Sequence, residues 1–323
     1  MNRIKVFAGT TGLPLATQVC ERLSMDLGQA EVGRFPDGEV KVRLGEDVRG
    51  ADVFIINPTN PPDEHRMETI LLAKACRGSS AGRITVVLPY FGYNRQDRKD
   101  RPRVPISAEV AIDQIARSGC HRVLLFDVHS EPTLAVFANH NIVVDHLYAS
   151  IVAADYLKSI FSGPNRAVAS TDHGGAARAR LYGERVIGIE DTVIFDKQRD
   201  RESGKVKNDK IIIIGEVRGK DLLYIDDMID TAGTICDDAK AAEKAGAKRL
   251  LVFATHGLFS GPAIDRINDS PIEEIVITNS IPQDMSKLAR CRVKITVLPI
   301  DGLVARAIHN IHSELSLSEL ILK

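Results

Sequence analysis

The residues with the clearest chemical purpose lie at positions 226–234, where two adjacent acids, Asp226 and Asp227, precede a turn of small residues. An apolar run at 222–225 predicts a strand before them, and the Ala-, Lys- and Glu-rich run at 235–245 predicts a helix after them. Backbone N–H groups at the start of a helix have no partner within it and lie at the positive end of its dipole, so they suit a phosphate monoester. The carboxylates would repel that phosphate, and they suit the neutral hydroxyls of a sugar, bound directly or through a divalent cation.

A plainer interpretation of the same segment is an acidic strand end followed by a capped helix, and an isolated Asp-Asp pair would favour it. Here the acids, the small turn residues and the predicted helix start coincide within nine positions. That coincidence favours a cradle for a sugar phosphate.

A second candidate segment is the connection at residues 90–103, which follows a predicted strand at 83–88 and carries three aromatic residues and five Arg or Lys. In an open α/β sheet, the loops at the carboxyl ends of the strands line the ligand crevice. Aromatic side chains can stack on a base, while Arg and Lys can meet a polyphosphate. The segment therefore predicts a nucleotide-binding loop, and a solvated basic loop is the alternative.

Two further segments carry charge at places where a ligand could bind. Residues 171–180 contain glycines at a predicted helix start ahead of Arg178 and Arg180, which predicts a second anion site. Residues 195–208 have no apolar period and predict a mobile loop of about a dozen residues, long enough to suggest a function. A solvated connection is the alternative for this loop.

Length and composition limit the class of protein. A chain of 323 residues favours two domains of about 150 residues each. Hydrophobic residues at 44% and charged residues at 26% indicate an ordinary globular protein, and a net charge of -1 provides no field to attract nucleic acid or an anionic membrane. The five scattered cysteines suggest neither a disulfide framework nor a zinc site. With no apolar run of about 20 residues, we expect a cytoplasmic protein that is neither exported nor anchored.

The two halves of the chain share a sequence pattern. Residues 119–129 match residues 246–256 at a constant offset of 127 (246 minus 119), and a strand-exit loop and a helix precede the match in both copies. We therefore predict an α/β fold of two tandem, duplicated domains, each a mainly parallel sheet flanked by helices, at residues 1–148 and 149–323. One half would face a nucleotide and the other a sugar phosphate. Chance similarity of helix–strand patterns is the alternative.

The set of motifs resembles the ribose-phosphate pyrophosphokinase family, also called phosphoribosyl-diphosphate synthetases, and within it the phosphate-activated class. Residues 35–40 are similar to the family's Phe-Ser-Asp-Gly-Glu, and residues 89–99 to its Tyr-Ala-Arg-Gln-Asp-Arg-Lys. Residues 127–129 are similar to Asp-Leu-His, and residues 172–180 to Asp-Ala-Gly-Gly-Val-Ala-Arg-Ala-Arg. Residues 226–234 match the phosphoribosyl-diphosphate-binding motif of the phosphoribosyltransferase superfamily without a change.

The resemblance implies a reaction, a fold and an assembly. The reaction is transfer of diphosphate from ATP to the 1-hydroxyl of ribose 5-phosphate, with Mg²⁺, giving AMP and 5-phosphoribosyl 1-diphosphate. The fold is two phosphoribosyltransferase-like domains with the active site between them. The assembly is a homo-oligomer built of dimers within a hexamer, in which a neighbouring subunit completes the ATP site.

The resemblance also assigns site residues. The implied catalytic residues are Lys197, Arg199 and His129, and the implied metal-linked residues are His129 and Asp172. The implied ATP-binding residues are Phe35, Asp37, Glu39, Arg95, Gln96 and Asp100, of which the first three come from the neighbouring subunit. The implied ribose-5-phosphate-binding residues are Asp226, Asp227, Asp230, Thr231, Ala232, Gly233 and Thr234.

Two other functions remain as alternatives. A phosphoribosyltransferase would need only one such domain and no nucleotide half. A non-catalytic regulatory homologue of the synthetase would have lost the loop cations or the acidic pair, both of which this chain keeps.

Some positions depart from the family pattern. Asn94 and Pro36 replace the family's Ala and Ser, and His173 replaces a small residue. His173 is interpreted either as an added contact to a metal or phosphate or as a tolerated substitution. Asp301 stands where the family has a Ser that contacts regulatory phosphate, and residues 131–137 replace a Gln-Ile-Gln-Gly-Phe-Phe run. These two changes predict that phosphate activation and ADP inhibition are weakened or absent, unless Asp301 only caps the following helix.

Overall fold

The computed structural model describes residues 3–199 and 206–320, and the side chains at 197–199 and 206–210 lie outside that description. The strands are β1 (Ile4–Ala8), β2 (Ala30–Arg34), β3 (Val40–Leu44), β4 (Asp52–Ile56), β5 (Arg83–Leu88), β6 (Arg122–Phe126), β7 (Val143–Leu147), β8 (Arg166–Ser170), β9 (Thr192–Arg199), β10 (Val206–Ile214), β11 (Asp221–Ile229), β12 (Leu250–Gly257), β13 (Glu274–Thr278) and β14 (Lys294–Leu298). The helices are α1 (Leu13–Arg22), α2 (Glu64–Gly78), α3 (Ser107–Arg117), α4 (Ala135–Ala138), α5 (Ser150–Ile160), α6 (Ala176–Tyr182), α7 (Gly233–Lys244), α8 (Ala263–Asn268), α9 (Met285–Leu288) and α10 (Asp301–His312). None of the described helices combines the length and the apolar run that crossing a membrane requires.

The chain forms two compact units, and the first comprises Met1–Tyr148, Ser280–Pro282 and Pro299–Ile321. Its main sheet has the order β1-β4-β5-β6-β7, with every neighbouring pair parallel. Strands β4, β5 and β6 are almost entirely buried and apolar, as expected of a parallel sheet that helices cover on both faces. The predicted bounds of β5, residues 83–88, are confirmed. Strands β2 and β3 form a separate antiparallel hairpin.

The last helix, α10, belongs to the first unit, whereas the sequence predicts that residues 149–323 form one domain. On α1, Arg22 donates through Nε to Asp301 Oδ2 at 2.7 Å. On β5, Arg83 donates through Nη2 to Ile311 O at 2.8 Å. These contacts join residues more than 200 positions apart, and no local sequence pattern could reveal them.

The second unit comprises mainly Ala149–Asn279 and Gln283–Leu298. Its sheet has the order β10-β9-β8-β11-β12-β13-β14, parallel throughout except that β10 runs antiparallel to β9. Strand β11 therefore lies near the centre of the sheet, between β8 and β12. The α/β class with two mainly parallel sheets agrees with the prediction.

The internal repeat is visible in the element order. In the first unit, β5 leads through a loop and α3 to β6, and in the second, β11 leads through a loop and α7 to β12. Adding the offset of 127 to the bounds of α3 gives 234 and 244, and α7 spans Gly233–Lys244. The loop predicted to bind a nucleotide and the loop predicted to bind a sugar phosphate therefore occupy equivalent positions in the two units.

The loop predicted at residues 195–208 is wrong, because most of this segment belongs to a β-hairpin. Strand β9 pairs antiparallel with β10, and its other edge pairs in parallel with β8. Val193 and Phe195 are buried two positions apart, which is the period of a strand and was obscured by the many charges. Residues 200–205 lie outside the described part of the chain.

Candidate active site

The two adjacent acids lie inside β11 rather than after it, because β11 continues to pair with β12 as far as Ile229. Pairing with β8 on the other side stops at Tyr224, so Asp226 and Asp227 occupy a part of the strand with an open edge. Thr171, just after β8, donates its hydroxyl to Asp226 Oδ2 at 3.0 Å. The acids are thus held at the carboxyl end of the central strands, where α/β proteins bind ligands.

The two carboxylates have different environments. The side chain of Asp226 is 28% exposed, and that of Asp227 is 2% exposed. Arg178, on α6, places Nη1 2.7 Å from Asp227 Oδ1 and 3.9 Å from Asp226 Oδ1. Asp227 is therefore held by the guanidinium, and Asp226 is the acid that solvent can reach. Arg178, which the sequence assigns to a second anion site together with Arg180, directs its Nη1 at the acidic pair, and that anion site stays a prediction.

The acidic pair also changes the titration of Asp226. Although its side chain is partly exposed, the protein atoms around the carboxyl group reduce its hydration, and this loss, followed by the charge of Asp227, raises the pKa of Asp226 well above its ordinary value, while Arg178 opposes that shift. Arg178 therefore favours the ionised form, which accepts hydrogen bonds from hydroxyl groups.

The turn after β11 is short and carries backbone strain. Ala232 has a φ of 57°, in the left-handed region that residues with a Cβ adopt at a cost. Helix α7 begins directly after it at Gly233, two positions before the predicted start. A Cβ at Gly233 would lie 3.2 Å from Arg266 Nη1, so the glycine leaves room between this guanidinium and the helix start. The residues placed together in this turn and helix start are Asp230, Thr231, Ala232, Gly233 and Thr234.

Arg266, on α8, is a cation at the rim of this turn that sequence reasoning missed. Its Nη1 donates to Thr231 O at 2.9 Å across a separation of 35 residues. Its side chain is exposed. The turn therefore combines the N–H groups of a helix start with a nearby guanidinium, and both favour an anion.

Asp172 and His173 lie in the exposed turn between β8 and α6. Asp172 Oδ1 accepts a hydrogen bond from Gly175 N at 2.8 Å, which orients the carboxylate. His173 is 61% exposed, and its Nε2 lies 3.7 Å from Asp196 Oδ2 on β9. The added histidine therefore contacts a carboxylate of the neighbouring strand.

The connection after β5 has buried and exposed parts. Tyr90 and Phe91 are each only 5% exposed, and the Phe91 ring centroid lies 6.1 Å from that of Phe137. The prediction that the aromatic residues of this loop stack on a base is therefore wrong for these two, which belong to the core. Tyr93 is 42% exposed, with the Arg66 guanidinium 4.7 Å from its ring centroid.

The predicted nucleotide-binding residues of the same loop, Arg95, Gln96 and Asp100, are exposed. The loop is anchored on the start of α3, where Ala108 N donates to Gln96 O at 3.2 Å and the Ser107 hydroxyl bonds to the Gln96 side chain. These side chains therefore stand on a fixed segment at the carboxyl end of β5.

The other three predicted ATP-binding residues, Phe35, Asp37 and Glu39, lie at the tip of the β2–β3 hairpin. Phe35 is 46% exposed although it is a large apolar side chain. Asp37 Oδ1 accepts from Glu39 N at 3.0 Å, and Phe35 N donates to Glu39 O at 2.8 Å, which closes the turn. The hairpin thus presents an aromatic ring to solvent on a rigid turn.

His129 is exposed in the loop after β6, and it follows Asp127, which has a φ of 38°. Lys197 and Arg199 belong to β9, but their side chains lie outside the described part of the chain. Within residues 3–199 and 206–320, no group of three or more His, Cys, Asp or Glu side chains could hold a metal ion.

Asp301, predicted either to occupy a regulatory phosphate position or to cap a helix, is the first residue of α10. Its side chain is 7% exposed and pairs with Arg22 Nε at 2.7 Å. Ile300 occupies the N-cap position, and no side-chain capping bond is made. The capping alternative is therefore wrong, and Asp301 instead ties α10 to α1.

Comparison with known proteins identifies two family models in the chain. One describes the N-terminal domain of ribose phosphate pyrophosphokinase and matches residues 4–119. The other describes a phosphoribosyl synthetase-associated domain and matches residues 190–322.

Relatives match almost the whole chain. A ribose-phosphate pyrophosphokinase of Helicobacter hepaticus is 45% identical over 316 residues, which cover 97% of this chain and 98% of the relative. A chloroplastic ribose-phosphate pyrophosphokinase 2 of Oryza sativa subsp. japonica is 40% identical, over 99% of this chain and 78% of the relative. The crystal structure of phosphoribosylpyrophosphate synthetase from Mycobacterium smegmatis has a TM-score of 0.88 at 31% identity, covering 97% of this chain and 100% of that chain.

The fold and the acidic strand–turn–helix segment define an α/β protein with two mainly parallel sheets, flanked by helices, of the phosphoribosylpyrophosphate synthetase type. Sequence identity to ribose-phosphate pyrophosphokinases over nearly the full length of the chain then identifies the family within this class. The chain belongs to the ribose-phosphate pyrophosphokinase family.

Proposed function

We propose that this chain is a ribose-phosphate diphosphokinase, which transfers diphosphate from ATP to the 1-hydroxyl of ribose 5-phosphate. The observation that carries the proposal is the segment at residues 226–234, where a partly exposed carboxylate in β11 is followed within a few residues by the start of α7, and a helix start favours an anion. The similarity to ribose-phosphate pyrophosphokinases over nearly the whole chain supports it.

In the proposed reaction, the 1-hydroxyl oxygen of the sugar forms a bond to the β-phosphorus of ATP. The bond from that phosphorus to the oxygen it shares with the α-phosphate breaks, AMP leaves with this oxygen, and the hydroxyl proton passes to solvent. Catalysis of such a transfer relies mainly on positioning and on stabilising the charge of the transferred group. We assign this stabilisation to Lys197, Arg199 and His129.

The second unit binds the sugar phosphate in this proposal. Asp226 accepts hydrogen bonds from the ribose hydroxyls, because its side chain is 28% exposed. Asp227 contributes through Arg178, which it holds beside Asp226. The N–H groups and hydroxyls of residues 230–234 bind the 5-phosphate, and Arg266 adds a positive charge at the rim.

The first unit binds the nucleotide in this proposal. Arg95, Gln96 and Asp100 contact ATP from the loop after β5, where their side chains are exposed. We assign Phe35 and the acids Asp37 and Glu39 to the ATP site of a neighbouring subunit, since the exposed Phe35 ring suits a purine base or a protein surface. This sharing requires a homo-oligomer, for which we propose a hexamer built of dimers, acting in the cytoplasm.

We propose Mg²⁺ as the cofactor, since this family generally uses it. Mg²⁺ prefers oxygen ligands and is commonly held by one or two carboxylates together with substrate phosphates and water. The oriented, exposed carboxylate of Asp172 fits that description, and His129 suits a phosphate oxygen better than a hard cation. When bound, Mg²⁺ neutralises the charge of the phosphates.

One experiment tests the proposed function. The purified protein is incubated with Mg-ATP and ribose 5-phosphate, and the nucleotide product is identified by chromatography. AMP, formed in equal amount with 5-phosphoribosyl 1-diphosphate, is the expected result. ADP would indicate an ordinary kinase, absence of turnover would favour a regulatory homologue, and consumption of added 5-phosphoribosyl 1-diphosphate with a free base would indicate a phosphoribosyltransferase.

A further inference from the structure

Asn94 is a buried amide inside the nucleotide loop, at a position where the family resemblance leads us to expect alanine. Its side chain is 2% exposed, and it directly precedes Arg95 and Gln96. Burying an amide costs free energy unless its polar atoms are bonded. The contacts of Asn94 therefore show what compensates for this substitution.

Both ends of the amide bond to the loop that follows β6. Ser130 N donates to Asn94 Oδ1 at 2.6 Å, and Asn94 Nδ2 donates to Thr133 Oγ1 at 2.5 Å. The Thr133 hydroxyl in turn donates its proton to Ser130 O at 2.7 Å. Because the Ser130 N–H can only donate, and the Thr133 proton is already used, only one orientation of the amide satisfies all three bonds.

The loop that Asn94 holds carries His129, the neighbour of Ser130 in the chain. The same loop is fixed at two other points, where Val128 N donates to His146 Nε2 at 3.1 Å and the Tyr148 hydroxyl donates to Glu131 Oε1 at 2.5 Å. Of the contacts described here, those made by Asn94 come from the nucleotide loop. It therefore links the segment before Arg95 to the segment after His129.

We infer that Asn94 is a positioning residue, which fixes the spacing between the Arg95–Gln96 segment and the His129 segment so that both contact one ATP molecule. The inference rests on the proposed function, which assigns both segments to ATP. Asn94 itself does not contact the substrate, because it is buried and its amide is bonded to the loop. Thr133 is its partner, in the segment where the family's Gln-Ile-Gln run is absent.

The test compares Asn94→Ala and Thr133→Val with Thr133→Ser and Asn139→Ala. Thr133→Ser keeps the hydroxyl, and Asn139→Ala removes an exposed amide of the same unit. Because small misplacements of substrate-binding groups cost up to about 100-fold in rate, we expect Asn94→Ala and Thr133→Val to lower kcat/KM for ATP by roughly 10- to 100-fold. We expect KM for ATP to rise while KM for ribose 5-phosphate stays within about two-fold, and both control variants to behave as wild type.

A purely structural role for Asn94 would give a different result. Partial unfolding lowers the active fraction, and with it kcat, but leaves both KM values unchanged. Unchanged KM for ATP in both Asn94→Ala and Thr133→Val would therefore overturn the inference, as would a defect in Thr133→Ser equal to that in Thr133→Val. Thr133→Val nearly conserves volume, so it provides the test if Asn94→Ala does not fold.

Calorimetric titration with a non-hydrolysable Mg-ATP analogue separates this inference from the proposed function. If the wild type forms no AMP yet binds the analogue, and Asn94→Ala binds it about 10-fold more weakly, the proposed function fails and the positioning role stands. If the wild type forms AMP and Asn94→Ala binds the analogue with the wild-type Kd, the positioning role fails and the proposed function stands.

Discussion

The adjacent acids Asp226 and Asp227 show how strand geometry divides a motif. Successive side chains of a strand leave its opposite faces, so two neighbouring acids inside β11 cannot have the same surroundings. One is accessible, and the other is buried against Arg178. The sequence alone predicts one shared role for the two acids. Their different surroundings lead us to propose instead that Asp226 binds the sugar and that Asp227 holds Arg178 in place.

We expect Asp226→Asn to raise KM for ribose 5-phosphate by roughly 10- to 100-fold, because a hydrogen bond to a charged group contributes about 1.5 to 3 kcal/mol. KM for ATP should stay near the wild-type value. Asp227→Asn should instead lower the free energy of unfolding by a similar amount, since it removes the charge that holds Arg178. Steady-state kinetics and denaturant titration of both variants would check this. A larger effect on KM for the sugar in Asp227→Asn than in Asp226→Asn would contradict the assignment.

The raised pKa of Asp226 predicts a dependence on pH. As pH falls through that pKa, the carboxylate takes up a proton and loses an acceptor, so KM for ribose 5-phosphate should rise. The folded state holds this proton more tightly than the unfolded state, so ionisation of Asp226 lowers stability as pH rises above the ordinary value of about 4. Asp226→Asn should remove this contribution to the pH dependence of KM, and it should have a higher Tm than wild type at neutral pH. A wild-type KM that stays constant over the acid range would disprove the assignment.

Single residues near the site were predicted unevenly from the sequence. The nine-residue motif was found because its types and spacing are local. Arg266 was missed because its contact with Thr231 spans 35 residues, and the pairing of Arg178 with Asp227 was missed because it spans 49 residues. Side-chain direction across elements depends on tertiary packing, which one sequence does not display.

At the scale of elements, the buried parallel strands were predicted best. Strand β5 has a mostly apolar run between Arg83 and Pro89, so both of its ends are marked in the sequence. Strand β11 was predicted too short, because its last residues include acids and are held by pairing with β12. The sequence predicts a loop where the β9–β10 hairpin lies, because its many charges hide the strand period, whereas pairing of β9 with β8 and with β10 holds the segment as strands.

This hairpin carries the proposed catalytic cations. We expect Lys197→Ala and Arg199→Ala each to reduce kcat by about 100-fold or more, while the affinity for ATP stays within several-fold, because these charges act mainly in the transition state. Lys248→Ala, which removes an exposed cation elsewhere in the same unit, is the matched control. Steady-state kinetics would check all three, and near-wild-type kcat in both hairpin variants would remove the hairpin from the mechanism.

At the scale of the whole molecule, the two units share one arrangement of elements. The same strand–loop–helix unit holds the basic loop that we propose for the nucleotide in one half and the acidic loop that we propose for the sugar phosphate in the other. The offset of 127 was detectable because the copies keep similar residues around the following strand. The return of α10 to the first unit was not detectable, because it depends on contacts such as Arg22–Asp301.

The same ion pair bears on regulation. The family resemblance leads us to expect a phosphate-binding hydroxyl at position 301, and this chain has a carboxylate there. That carboxylate is buried and paired with Arg22, so it is not a donor for a phosphate. We expect full activity without added phosphate, and ADP inhibition that saturating ATP relieves. Initial rates measured against phosphate, and ADP titrated at saturating ATP, would check this. Strict dependence on phosphate, together with ADP inhibition that ATP cannot relieve, would show that a regulatory site persists.

The return of the chain to its first unit has a consequence during synthesis on the ribosome. The second unit is inserted in sequence between Tyr148 and the segment Pro299–Ile321. About 164 residues, from 148 to 312, must be added before α10 is complete and can pack on α1, which takes roughly 8 to 33 s at about 5 to 20 residues per second. During this time the surface of α1 that α10 will cover is exposed to chaperones and proteases. A circular permutant that begins at residue 299 would be synthesised with α10 first, which would shorten the time for which this surface is exposed.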